Sequence, residues 1–514
     1  MLQFLSILAL VTTTWASFAS NLNYRSPSHH HPSLGVSIRK VAARNTPSAA
    51  WNSSQLNFIR GIASGDPCDT SVILWTRATP SLDDDHSNIT VSRYIPLYSH
   101  ETEEYVRASK APVCVTYKVT TDSALKCVVD RGTVYTSSGQ WYSNICFFPV
   151  LRKSRGVLIS SRNLHSNYRK RLATYRTDLD LLLSHQKFPW IPVWDDHEVA
   201  DNTWRAGSSE LNNTEASFIQ HGGVSVDQRK MNAVRVYFKW MPIRQVEMDD
   251  NFRIWRNFEI GDLMDLIMFD TRQYDRGITD LYWNTNYIHE ISNDAGRTLM
   301  GSRQENWFYN RLIESSKRSA AWRVISNQIV FSHISESIAY SIENPLDYDA
   351  WGGYWSNRNR TLATLYDNNI TNTIFLARDS IEFARSAVSS PCPYGQNILL
   401  HNANNYSSLL VAANRELQWQ DLYYQGCYEI SVDYDTVNAS FGMPTIATRN
   451  GYEISLANFI VLNGANKLTR TNGAVAGGVV ERGSVKFGTI MSTNATNDTA
   501  TGQYFISNFT PDTA

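Results

Sequence analysis

From Leu164 onward, helix-like segments alternate with short apolar runs, and this alternation narrows the fold more than any other feature of the chain. Tyr168–His185, Asp227–Trp240, Gln304–Ser319 and Arg358–Asn368 carry the helical pattern. Between them stand Trp190–Trp194, Leu263–Phe269, Trp322–Phe331 and Thr373–Leu376, which are short and apolar enough to be buried strands. Strands covered by helices predict an α/β domain, and in such folds the loops at the carboxyl ends of the strands build the site.

The segments on either side differ. From Phe58 to about Pro149, Ser71–Thr76, Pro112–Val119, Cys127–Val129 and Gly132–Tyr135 read as short strands with turn residues between them and no helical period. That spacing predicts a small antiparallel β-sandwich over 55–150. Residues 20–54 are rich in Ser, Pro, Asn and His without periodicity and read as a flexible lead-in; His29-His30-His31 there is more often solvated linker than metal ligand. Past Arg449 the chain turns rich in Gly, Asn and Thr, so 450–514 reads as a short-stranded or irregular C-terminal extension.

Several function classes fall away on composition. Lys+Arg at 47 against Asp+Glu at 48 gives a formal charge of −1, with no signal for nucleic acid or an anionic membrane. Aromatic content of 12% argues for a folded chain, and 514 residues can bury one large core or two. Leu2 to Val11 is almost wholly apolar, and Ser17-Phe18-Ala19 follows with small residues at a cleavage spacing. Residues 1–19 therefore read as a signal peptide; a buried helix or an anchor is the other reading, for a run short of bilayer length. No second long apolar stretch exists, so no membrane span is expected once the signal is removed.

Asn-x-Ser/Thr triplets at Asn52, Asn88, Asn212, Asn359, Asn369, Asn405, Asn438, Asn494, Asn497 and Asn508 agree with export and glycosylation. So does an even cysteine count, Cys68, Cys114, Cys127, Cys146, Cys392 and Cys427, whose pairing the sequence leaves open. The expected location is secreted, extracellular or in the cell wall.

The sharpest motif is Trp194-Asp195-Asp196-His197-Glu198, directly after an apolar run. Adjacent carboxylates raise each other's pKa unless a cation neutralises them, and Asp oxygens beside an imidazole suit hard or borderline metal ions. A loop in which Asp caps the next helix is the alternative. Asp379, in Arg378-Asp379-Ser380-Ile381, is a ligand, an N-cap or a partner of Arg378. Asp270-Thr271-Arg272 closes another apolar run; Arg272 meets an anionic substrate or, as the commoner pattern, a structural aspartate.

Together these segments resemble the alkaline phosphatase D (PhoD-like) family, including its fungal secreted members. The likeness starts in Phe58-Ile-Arg-Gly-Ile-Ala-Ser-Gly-Asp-Pro67 and Ile73-Leu-Trp-Thr-Arg77. It continues through Tyr168–Asp178, Phe188–Ala200, Phe269–Arg276, Gln304–Trp307, Trp322–Val330, Asp349-Ala-Trp-Gly-Gly-Tyr354 and Asn372–Ala377, covering most of 55–390. The resemblance implies a β-sandwich N-terminal domain on a calcineurin-like, two-sheet metallophosphatase core over 151–449. It also implies hydrolysis of phosphate mono- or diesters with iron and calcium. Carried over by position, Asp196 is a metal ligand with Asp195 in or near the shell. His197 stabilises the phosphate or protonates the leaving group, and Asp379 is a further ligand.

Departures from the family pattern are specific. Members carry a strand ending in Ser-Cys and another ending in Gly-Asp-Tyr before the Tyr-Arg-x-Arg helix, supplying a thiolate, a bridging carboxylate and a phenolate. Here Leu151 to Asn167 holds neither, and a strand–helix–strand unit needs about thirty residues. The core thus lacks its first such unit, with truncation near 151–167. The family's Gly-Asp-x-His loop reads Arg378-Asp379-Ser380-Ile381, an imidazole replaced by an isoleucine. Three accounts stand: an active phosphatase with ligands from elsewhere, an inactive glycoprotein that binds a phosphorylated ligand or a protein partner, or a transcript missing coding sequence across 139–168.

Overall fold

The computed structural model describes most of residues 56–80, 113–136, 168–246, 252–337, 346–376, 398–444 and 453–471. It adds short pieces at 90–91, 95–96, 382–383, 474–475, 484–485, 495–498 and 503–506. Residues 1–19, the His29–His31 run, the 151–167 connection and Asp379 lie outside the described residues. Contacts divide the chain into two compact units, one holding the N-terminal strands with 168–192 and 214–254, the other 193–213 and the chain from Trp255.

In the first unit, β1 (Ile62–Cys68) and β2 (Ser71–Thr76) form an antiparallel hairpin with Ala63 opposite Trp75. β3 (Val113–Thr120) pairs with β4 (Val128–Thr136) in a second hairpin. β4 is one strand where two were expected; Asp130-Arg131-Gly132 reads as a turn, but each of the three pairs across to Val119, Lys118 and Tyr117. After α1 (Leu179–Lys187), capped by Asp178, β5 (Pro189–Trp190) joins β1 in parallel, so this sheet is mixed. The expected strand Trp190–Trp194 stops there, and Pro192 has no N–H to extend a ladder. β1 lies tight against its neighbours at Gly65, where a Cβ would run into the Pro242 and Trp190 carbonyls. α2 (Val226–Trp240) starts from the Ser225 cap.

In the second unit, β6 (Arg256–Ile260), β7 (Met264–Met268), β8 (Trp322–Ser326) and β9 (Thr373–Leu376) form a sheet in that order. β6 is antiparallel to β7, across a turn where Gly261 adopts φ +52°; β7, β8 and β9 are mutually parallel. Helices supply the crossovers: α3 (Thr285–Ile291) and α4 (Gly301–Lys317) lie between β7 and β8, and α5 (Trp355–Asp367) between β8 and β9. Side-chain alternation splits each strand between two cores. Ile267, Ile325 and Phe375 face Phe308 and Leu312 of α4 and Leu365 of α5. Trp322 and Ile374, one residue out of phase, face Val437, Ala439, Phe459 and Val461.

Those last residues belong to an antiparallel sheet of β10 (Cys427–Val432), β11 (Thr436–Pro444) and β12 (Glu453–Leu462). This unit is therefore helices over sheet over sheet, which is the two-sheet layering expected. β12 lies beyond Arg449, where a short-stranded or irregular extension was expected, and pairs along β11 with one bulge at Phe441/Gly442. Each fully buried large side chain in the two cores contributes about 1.5–3 kcal/mol.

Among the described residues no helix is long and apolar enough to cross a membrane. Asn212, Asn359, Asn369 and Asn405 are exposed, and Asn438 is half-buried. Cys127 is an exposed free thiol.

Candidate functional site

The site lies in the second unit, where the loops after β7 and β8 grip the Asp195–Glu198 turn. Asp270 follows β7 and closes an Asx turn, its Oδ1 accepting from the Arg272 and Gln273 amides at 3.1 and 2.8 Å. Buried Gln304 of α4 holds that turn from behind, accepting from the Asp270 amide and donating to its carbonyl, both at 2.8 Å. Gln328, after β8, accepts from Thr271 and donates to the carbonyls of Trp194 at 3.1 Å and Phe269 at 2.8 Å. Gln273 reaches the Asp195 carbonyl at 3.0 Å. β8 ends at Ser326 rather than Phe331 as this clamp turns the chain away.

The turn is closed by side-chain and backbone bonds. Glu198 accepts from the Asp195 amide at 2.5 Å, and the Val199 and Ala200 amides return to the Asp196 carbonyl at 2.8 and 2.9 Å. Asp196 is buried: its Oδ1 accepts from the His197 amide and faces His197 Nδ1, each at 2.9 Å, while Oδ2 accepts from the Asn202 amide at 2.8 Å. The other ring nitrogen, Nε2, lies 3.3 Å from Asp201 Oδ1. Tyr282 donates to Asp201 Oδ2 at 3.0 Å, as does Ser209. The imidazole is thus fixed between two carboxylates.

Arg272 ties the adjacent carboxylates together. Its Nε lies 2.5 Å from Oδ1 of half-exposed Asp195, and its Nη1 pairs with Asp349. Asp349 also takes the fully buried Arg276 at 2.9 Å and the Thr279 hydroxyl at 2.7 Å. Burial pushes the Asp349 carboxyl up, but Arg272 and Arg276 outweigh it and hold it below the usual carboxylate range. Asp196 follows the same balance: burial raises it, and the Arg272 charge and the His197 and Asn202 contacts bring it well below. Burial works against the Arg272 charge, yet Asp195, Asp349 and Asp196 keep it protonated. Partial burial and the Asp201 charge push the Tyr282 phenol up, so it stays a donor.

Asp270 goes the other way, pushed up to about 6, chiefly by burial and despite its backbone bonds. A raised carboxyl pKa means the folded state holds the proton more tightly than the unfolded chain. Its contribution is therefore full below about 3.9 and lost as pH rises through about 6. Asn at this position keeps the acceptor without the charge. Asp270→Asn should be more stable than the parent by about 3 kcal/mol at pH 8, with parity near pH 4. Thermal melts at the two pH values measure this; a gap that does not change with pH would contradict it.

Asp195, Asp196 and His197, consecutive in the chain, sit in one turn, and Arg272 takes the structural aspartate partners named as its commoner pattern. Asp379 lies outside the described residues. Sequence reasoning missed Asp201, Asp349, Arg276 and Tyr282. His197 and Asp201 stand four apart, a legible signal, and Asp349 opens a segment that carries the family resemblance; Arg276 and Tyr282 have no local signature.

Asp196, His197 and Asp201 each offer a donor atom within 4.8 Å of the others. The two imidazole nitrogens face different carboxylates, so a cation there draws on carboxylate oxygens with at most one ring nitrogen. Arg272 takes one oxygen of Asp195. The described residues offer carboxylates, one imidazole and the protonated Tyr282 phenol on Asp201 but no thiolate, and do not fit an iron–calcium pair.

The comparisons with known proteins agree with this fold. The PhoD-like phosphatase family model matches residues 157–441, and the model of that family's N-terminal domain matches 42–146. The chain belongs to the PhoD-like phosphatase family. It is 26% identical over 421 residues to alkaline phosphatase D of Bacillus subtilis (strain 168), covering 68% of each chain. A solved structure titled "Structure of PhoD" superposes with a TM-score of 0.59 at 20% identity, over 82% of this chain and 93% of that one.

Proposed function

We propose that this chain is a secreted glycoprotein that recognises phosphate mono- or diesters at the Asp195–His197 loop with the help of a hard cation. Its hydrolytic step is crippled by the missing metal ligands. The observation that carries this reading is the charge balance of the loop. Asp195, Asp196, Asp201 and Asp349 meet two guanidinium groups, Arg272 and Arg276, and one imidazole. An anionic ester entering that surplus of carboxylate needs added positive charge, and oxygen donors suit Ca²⁺. His197, held on both sides, is then the group that meets the phosphoryl oxygen or protonates the leaving group. Asp379, carried over from the family resemblance, is proposed as a further ligand. In the family, iron and calcium supply the hydroxide and the charge stabilisation; this chain keeps the side that binds the ester.

The apolar N-terminus and the exposed sequon asparagines support the secretory part. The inactive-glycoprotein reading is favoured over full activity by Ile381, where an imidazole ligand is expected.

Full-length protein expressed in a eukaryotic host should be recovered from the medium, heavier than 58.3 kDa until deglycosylated. It should bind inorganic phosphate about tenfold more tightly with calcium than without, and His197→Ala should weaken that binding by a similar factor. A cytosolic product of unmodified mass would end the secretory part, and phosphate binding indifferent to both calcium and His197 would end the phosphoester part.

A further inference from the structure

Beside the His197–Asp201 pair the chain displays aromatic surface on a rigid loop. Tyr282 is 71% exposed and Trp283 74% exposed, although the Tyr282 hydroxyl donates to Asp201 at 3.0 Å. Tyr282 also adopts φ +69°, a left-handed backbone that a bulky aromatic rarely takes. Such a conformation persists only where the surroundings over-determine it, and here they do. The Asp280 carboxylate accepts from the Tyr282 amide at 2.8 Å and from the Thr285 hydroxyl at 2.9 Å. The Asp280 carbonyl takes Asn202, and Asn284 bridges the Leu281 amide and the Thr279 carbonyl. Thr279 is itself bound to Asp349. The loop is braced against the same residues that brace the candidate site.

A strained, exposed aromatic held in place beside a group that meets phosphoryl oxygen has a natural use. We infer that Tyr282, with Trp283 next to it, forms a platform that stacks a planar aromatic group carried by the phosphoester, so that the site prefers aryl or nucleoside esters to alkyl ones. This rests on the phosphoester reading of the Asp195–His197 loop. The tether to Asp201 fixes the hydroxyl end of the Tyr282 ring and leaves its exposed face for the ligand. Stacking of that kind is worth about tenfold in affinity.

The test is equilibrium binding to the full chain with calcium present, using phenylphosphonate against methylphosphonate and adenosine monophosphate against ribose 5-phosphate. At least one aromatic member should bind about tenfold more tightly than its partner; which pair responds separates an aryl from a nucleoside ligand. Tyr282→Gly suits the left-handed backbone and should fold while losing the preference. Trp283→Ala, which leaves the Tyr282–Asp201 bond in place, should weaken the preference while inorganic phosphate binds it and the parent alike. Equal affinities within both pairs, with phosphate still bound, would overturn this inference alone. Failure to bind phosphate or any of the probes would overturn the parent reading and this one with it.

Discussion

Replacing Arg272 with methionine should cost about 3–5 kcal/mol of folding stability, the loss expected when a buried ion pair is broken from one side. Met fills much of the aliphatic volume, so the loss reports charge rather than a cavity. Asp349, whose side chain is 16% exposed, would keep Arg276 and Thr279 but lose one of two guanidinium partners. Asp196, buried beside Asp195, would lose the cation that holds its carboxyl low. The half-exposed Asp195 contributes little, because solvent screens it. The pH dependence follows from the sign. Asp196 and Asp349 are depressed in the folded protein, so their stabilisation is present above the unfolded value near 3.9 and lost as pH falls through the lower folded values. The Arg272→Met deficit should accordingly be largest at neutral pH and shrink in acid. Arg272→Lys should fall between, since an ammonium does not span two carboxylates as a planar fork does. Denaturant unfolding that shows less than about 0.5 kcal/mol for Arg272→Met at pH 7 would remove Arg272 from the centre of the site.

Local pattern carried much of this fold. The helix expected over Asp227–Trp240 spans Val226–Trp240, and the strands Ser71–Thr76 and Thr373–Leu376 stand at their expected bounds. Periodicity and turn residues suffice for such elements because they fold by their own burial pattern. The errors arise where something distant decides. Trp322–Phe331 reads as one apolar run, but Asn327 and Gln328 within it turn to clamp neighbouring backbone, and the strand ends first. Beyond Arg449, Gly and Asn suggest irregularity, yet β12 forms because Ala457, Phe459 and Val461 find the Trp322 face.

The site divides the same way. Asp195, Asp196 and His197 are contiguous, so one motif exposes them. Asp201, Asp349, Arg276 and Tyr282 matter through contacts spanning up to 81 residues of sequence, and no window of the chain holds them together. The family wording around Asp349 marks the segment without saying that its carboxylate joins two arginines.

The largest effect expected concerns turnover. Of the ligands the family resemblance assigns, Asp195, Asp196 and Asp379 remain, all carboxylates. The thiolate, the bridging carboxylate and the phenolate have no counterpart in Leu151–Asn167, and Ile381 stands where an imidazole ligand is expected. Two close cations generate the attacking hydroxide and clamp the phosphoryl oxygens in such enzymes, so their loss removes most of the metal-derived acceleration. Residual assistance from His197 as an acid is worth about 10²–10⁴-fold at most. On the proposed reading Ile381→His alone does not restore activity, because Leu151–Asn167 carries neither Ser-Cys nor Gly-Asp-Tyr.

The direct measurement is metal content by mass spectrometry on the purified 514-residue protein, paired with turnover of aryl phosphate mono- and diesters on the same sample. Less than about one equivalent of iron, exchangeable calcium at most, and ester hydrolysis several orders of magnitude below the usual enzymatic range of about 1–10³ s⁻¹ are expected. Stoichiometric iron together with turnover in that range, abolished by His197→Ala, would contradict this and restore a complete two-metal enzyme.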